Sequence, residues 1–148
     1  MKITGNYLLS ANRDVLWKML NDPKVLEKVT PGIKTLEAQG EDLYKAISEV
    51  KIGPVRGQFQ GDLALKDKVE GESCSVVLDQ KSKMGNVVAE IGMTLVQKEE
   101  NQTEVQYTGE AKMSGMLARM GQRIMSGVVS TLSKQFFQAM EKELQDRT

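Results

Sequence analysis

The chain has 148 residues, 20 basic and 20 acidic side chains, and no net charge; that length suits one domain built on one core. Neutrality, together with one Trp, three Tyr and three Phe, excludes a general nucleic-acid binder, which needs a basic face and stacking platforms. The absence of histidine and the single cysteine, Cys74, exclude Ser-His-Asp and Cys-His catalysis, the commonest metal ligand and any intramolecular disulfide.

Residues 2–10 read as a strand, with Ile3, Tyr7 and Leu9 among polar neighbours. A helix follows. Ser10 or Asn12 can cap it, and Asp14 falls in its first turn, where the helix dipole favours an acid. Val15, Leu16, Met19 and Leu20 form its apolar face, and Trp17 packs it on the sheet edge. Pro23 ends that helix and opens a second short one that buries Val25, Leu26 and Val29 and stops at Pro31-Gly32.

From Ile33 to about Met113 the hydrophobic period is two. Tyr44, Ala46, Ser48, Val50 and Ile52 share one parity, as do Phe59, Gly61, Leu63 and Leu65. Cys74, Val76 and Leu78 continue the pattern, followed by Val87 to Leu95 and Val105 to Met113 at alternate positions. Turn-like breaks at Gly40, Gly53-Pro54, Gly71, Gly85 and Asn101 divide the region into six antiparallel strands with one dry face. From about Ser114 to Leu144 the spacing is helical: Leu117, Met120, Ile124, Val128, Leu132, Phe136, Ala139 and Met140. A helix of about 30 residues would reach about 45 Å. It is the only element large enough to cover the dry face. The expected architecture is therefore α+β: strand, two short helices, six strands and a long helix gripped by a curved sheet, as one domain over residues 1–148.

The dry face is lined by small residues (Ala46, Ser48, Gly61, Ala89, Gly109, Ala111) and few aromatics. Such a lining predicts an apolar pocket between sheet and helix, walled by Tyr44, Phe59, Leu63, Ile91, Met93, Tyr107, Leu117, Met120, Ile124 and Val128. Glycines in strands also serve sheet bending, which would leave a collapsed core instead. Met113, Met116, Met120, Met125 and Met140, with Gly115, Gly121 and Gly127, suggest that the first half of the last helix yields. No acid lies between Ala111 and Met140, whereas Lys112, Arg119, Arg123 and Lys134 do. Lys112, Arg119 and Arg123 are candidate contacts to a membrane surface or an acidic partner. No motif calls for a cofactor, a metal or a catalytic residue. The lone cysteine suits a reducing compartment, and no run approaches the roughly 18 apolar residues of a spanning helix. The expected location is cytoplasmic, with peripheral contact at the inner membrane face left open.

The run Ser10 to Gly32, SANRDVLWKMLNDPKVLEKVTPG, resembles the opening of the START-like, birch-allergen-like helix-grip superfamily. Tyr44 to Gly61, YKAISEVKIGPVRGQFQG, resembles the family of the carbon monoxide dehydrogenase G-subunit, as do Leu117 to Met125 and Phe136-Phe137. The resemblance implies an internal cavity for a lipid-like or quinone-like molecule. It also implies an accessory, non-enzymatic role beside a carbon monoxide dehydrogenase-like molybdenum hydroxylase. The alternatives are a ligand-free adaptor at a protein or membrane surface and a cyclase or hydrolase of the same superfamily.

Overall fold

The computed structural model describes residues 1–147. The element order is β1 (Lys2–Leu9), α1 (Arg13–Leu20), α2 (Pro23–Val29), β2 (Ile33–Gly40), β3 (Leu43–Ile52), β4 (Val55–Val69), β5 (Ser73–Ser82), β6 (Gly85–Glu99), β7 (Gln102–Met113), α3 (Gly115–Arg119) and α4 (Gln122–Asp146). The seven strands form one antiparallel sheet in the order β1-β7-β6-β5-β4-β3-β2. Strands β2 to β7 are a meander, and β1 closes on β7. This is the curved antiparallel sheet with a long C-terminal helix expected from the hydrophobic periods.

Local chemistry explains the helix starts. Asn12, not Ser10, caps α1, its Oδ1 accepting from the Val15 amide at 3.0 Å. Ser10 instead donates its backbone N–H to Glu141 on α4. Asp22 caps α2 in front of Pro23, accepting from the Lys24 amide. Leu16, Met19, Leu20, Val25, Leu26 and Val29 are buried as expected, but Val15 is on the solvent side of α1. Trp17 is half buried against the core cluster around α1. At the end of α2, Gly32 has φ +71°, and a Cβ there would lie 2.1 Å from the backbone oxygen of Glu49. Only glycine fits that approach.

The last helix departs from the expectation. It is broken after α3, where Gly121 has φ 88° and stands at the N-cap of α4. The 25 residues of α4 run about 38 Å at 1.5 Å each. Along α4 the interior divides into clusters. Phe137, Met140 and Leu144 pack with Leu9, Leu16, Leu20, Val25, Leu95 and Val105. Met125 and Val128 pack with Val55, Phe59 and Leu117. Between them, Val129 lies on Ile3, Ala89 and Ala111. Phe137 stacks on Tyr7, with ring centroids 5.1 Å apart, and on Tyr107 at 5.6 Å, and Phe136 meets it edge-on at 5.2 Å. Thr103, fully buried, donates its hydroxyl to the Ala11 carbonyl at 2.8 Å and ties β7 to the start of α1.

Phe137 is thus the contact that seats α4. Phe137→Ala should lower unfolding free energy by about 3–5 kcal/mol in denaturant titrations. A loss below about 1 kcal/mol would show that α4 is held elsewhere.

Candidate functional site

The register places the predicted wall residues on one face. Tyr44 pairs with Leu63, Leu63 with Leu78, Val76 with Ile91, and Met93 with Tyr107. All of these point to the concave side, as alternation along each strand requires. What they touch there differs. Phe59, Leu117 and Val128 are buried in a single cluster, with Met120 half buried against it. Ile91 packs on the central cluster, Met93 on the one around Phe137, and Tyr107 on both. Tyr44 is buried and Leu63 half buried. Ile124 is the exception. It is 45% exposed in the first turn of α4, where Met125 and Val128 are the side chains that turn into the core. The structure therefore removes Ile124 from the wall.

In the middle of the concave face some apolar side chains are only half buried, beside buried Tyr44, Leu65 and Cys74. Leu63 and Val76, neighbours on β4 and β5, are half buried, and among the described residues they belong to none of the three clusters. Leu78 and Ile91 beside them are also half buried. Helix α4 comes closest to β1 and α2, and α3 to β6. Val55 and Phe59 at one end of β4 lie under α3 and the start of α4, so the less covered stretch of the inner surface is the one around Leu63 and Val76.

Two hollows lie elsewhere. One, of about 580 Å³, is lined mostly by outward polar residues such as Thr4, Asn6, Ser75, Thr94, Gln106 and Thr108 around Gly92, and it is also bordered by Cys74 and by the predicted wall residues Met93 and Tyr107. The other, about 360 Å³, lies beside α2 against Leu36. Neither is the pocket between sheet and helix that the lining predicts.

Sequence reading missed one residue here. Gln80 continues the inward parity of Cys74, Val76 and Leu78, and it is a buried polar side chain on this face, 9% exposed. Its Nε2 donates to the Asp62 backbone carbonyl at 3.0 Å. The signal was available: a glutamine at inward parity, opposite Gly61.

The titratable groups give this face little reactivity. Burial pushes the Cys74 thiol pKa up, leaving it a small hydrophobe. The strongest carboxylate perturbation lies away from the concave face: the ammonium groups of Lys34 and Lys51, at 2.8 and 2.9 Å, hold Glu49 at about 2. Asp62 and Asp79 have outward parity, and Asp62 pairs with Lys45.

Arg119 and Arg123 are exposed on either side of the α3–α4 break, next to exposed Met116 and Ile124. Lys112 is exposed on the outer face of β7, opposite Val88. The ion pairs among the described residues involve none of these three bases. No helix is long and apolar enough to cross a membrane among the described residues.

A seven-stranded curved sheet around a C-terminal helix defines the START-like helix-grip class. The chain is similar over 99% of its length to a START superfamily protein from Mycobacterium smegmatis, at 11% identity and TM-score 0.81, covering 99% of that chain. It is likewise similar over 99% to the Zhui aromatase/cyclase from a Streptomyces species, at 11% identity and TM-score 0.74, covering 94% of that chain. A conserved protein from Geobacillus kaustophilus is 29% identical, with TM-score 0.95 and coverage of 99% and 96% of the two chains. No curated protein matches the sequence. The profile of the carbon monoxide dehydrogenase G-subunit, CoxG, matches residues 5–145, and the chain belongs to that family.

The glycines of the last helix now separate by role. Gly121 is not helical, so alanine there meets its positive φ and should destabilise by about 1–3 kcal/mol. Gly127 lies within α4 with open space around its Cα, so Gly127→Ala should stabilise by about 0.5–1 kcal/mol. Thermal denaturation should therefore move in opposite directions for the two. A rise in melting temperature for Gly121→Ala would mean that the break is not a fixed feature.

Proposed function

We propose that this protein binds an apolar, lipid-like or quinone-like molecule between the sheet and α4, without catalysing a reaction. In this reading it serves as an accessory protein of a carbon monoxide dehydrogenase-like molybdenum hydroxylase. The observation that carries the binding reading is the half-buried apolar row Leu63, Val76, Leu78 and Ile91 on the concave face. Apolar area left wet costs about 25 cal/mol per Å² relative to burial. A ligand seated on the row removes that cost without disturbing the packed ends. Membership of the CoxG family supports the partner. The lack of histidine and the raised thiol pKa of Cys74 support a non-catalytic role.

A second reading is favoured by a different place in the fold. Met116 and Ile124, 47% and 45% exposed, lie with Arg119 and Arg123 at the helix break. An apolar patch with unpaired bases suits a membrane surface or an acidic partner. The two readings are compatible, since ligand exchange and surface contact would use different residues.

Protein purified from its own host and sprayed under native conditions should carry an extra mass that organic extraction removes. Leu63→Arg should abolish the adduct with the circular dichroism spectrum unchanged, whereas Ile124→Asp should keep it. Bare protein from the host, with no uptake of an added apolar probe, would contradict the binding reading.

A further inference from the structure

The hollow of about 580 Å³ has no part in interior binding. Three consecutive residues from each of β1, β7, β6 and β5 border it, with Asp67 of β4 at its margin. Two cross-strand rows form its walls: Thr4, Thr108, Gly92 and Ser75 in one, and Asn6, Gln106, Thr94 and Ser73 in the other. Between them runs the row of Gly5, Tyr107, Met93 and Cys74. Strand alternation turns that row to the concave side, so the floor of the hollow is main chain on the opposite face of the sheet.

Gly92 has no structural reason to be glycine. A glycine inside a strand marks a bulge, a close backbone approach or the approach of a ligand. The pairing register is unbroken around Gly92 toward both β5 and β7. A Cβ there would meet only the Thr108 backbone oxygen, at 3.7 Å, which is an ordinary contact. At Gly61 and Gly109 the corresponding distances are 2.0 and 2.1 Å. Gly92 therefore keeps the wall low for something outside the chain.

The lining fixes the chemistry of that molecule. The two rows carry hydroxyls and amides and no charge, on a chain in which 27% of residues are charged. No base lines the hollow, so an anion finds no partner. Tyr107, the one aromatic residue at its border, stacks its ring on Phe137 on the concave side, so a flat aromatic has no platform. Hydroxyl walls both donate and accept, which matches a molecule whose own groups do the same. Asp67 is exposed and takes part in none of the ion pairs among the described residues. Its two oxygens can accept from neighbouring hydroxyls. Gln106 donates to Glu104 at 2.6 Å, which leaves its carbonyl oxygen as an acceptor.

We propose that this outer-face hollow binds a neutral saccharide, whose ring hydroxyls replace water on the two rows and whose ring lies against Gly92. The site is separate from the interior one. Each hydrogen bond replaces one to water, so the expected dissociation constant is about 1 mM.

Amide NMR of the full chain, titrated with maltotriose and with cellotriose, tests it. At least one of these sugars should give saturable shifts at Thr94, Gln106 and Thr108, with Leu63 and Leu78 unmoved. Trigalacturonate, of the same length but anionic, should bind at least about tenfold more weakly, because Asp67 repels it and no base offsets the repulsion. Gly92→Val fills the hollow with a side chain suited to strands. It should abolish the shifts and leave the melting temperature equal or higher. Asp67→Asn keeps a residue that tolerates φ 53° and should weaken sugar binding about fivefold. No saturable shift with either sugar, equal binding of trigalacturonate, or sugar binding that survives Gly92→Val overturns the site. A Gly92→Val chain that melts lower also overturns it, since the glycine would then serve the backbone. None of these results bears on interior binding.

Discussion

The position of α4 depends on one aromatic contact. Phe137 lies between Tyr7 of β1 and Tyr107 of β7, nearly parallel to the first ring at 11° and inclined 25° to the second. Tyr107 can adopt this position because β1 carries glycine at position 5; a Cβ there would lie 2.5 Å from the tyrosine oxygen. A sheet with one dry face must be covered by something. The stack decides which part is covered closely: the β1–β7 side, where Leu9 and Val105 are almost fully buried beneath Met140.

The rest of the interior follows. With the C-terminal half of α4 bound to β1, β7 and the two short helices, and Val55 and Phe59 held under α3 and the start of α4, the stretch around Leu63, Val76, Leu78 and Ile91 stays half buried. The far end is closed by α3, whose Leu117 is fully buried and whose amide donates to the Met84 carbonyl at 3.0 Å. Packed ends with a half-buried apolar row between them are the arrangement in which a concave apolar face can take a guest. The small residues of this face do not all make room. Ala89 and Ala111 face each other across β6 and β7 and are buried with Ile3. At Gly109 a Cβ would lie 2.1 Å from the Glu90 backbone oxygen, so this glycine permits close strand approach. Gly61 leaves the crossing that Gln80 uses.

Strand parity was legible in the sequence because burial on one face imposes a period of two, and a slip by one residue would turn every side chain outward. That is why Tyr44, Phe59, Leu63, Ile91, Met93 and Tyr107 all fall on the concave face. The break at Gly121 was not legible. Leu117, Met120, Ile124 and Val128 keep helical spacing across it, so periodicity passes over the one residue whose backbone leaves the helix. Ile124 was misplaced because its spacing of four from buried Val128 does not reveal that Met125, not Ile124, turns inward in the first turn of α4. The division of the interior into clusters was also hidden, because it is set by which strand α4 approaches, and that depends on a contact between residues 7, 107 and 137 that no local pattern records. Gln80 was visible as an inward polar residue, but its significance needs the backbone carbonyl of Asp62, which only the folded register brings within reach.

The central claim is that the middle of the concave face receives an apolar molecule while the two ends stay packed. Methyl NMR of selectively labelled protein, titrated with an apolar aromatic probe, tests it residue by residue. The account predicts saturable shifts at Leu63, Val76, Leu78 and Ile91, with small changes at Leu9, Leu16 and Val105. Shifts confined to exposed Leu8, Val88 and Ile124, with the four interior methyls unmoved, would contradict it.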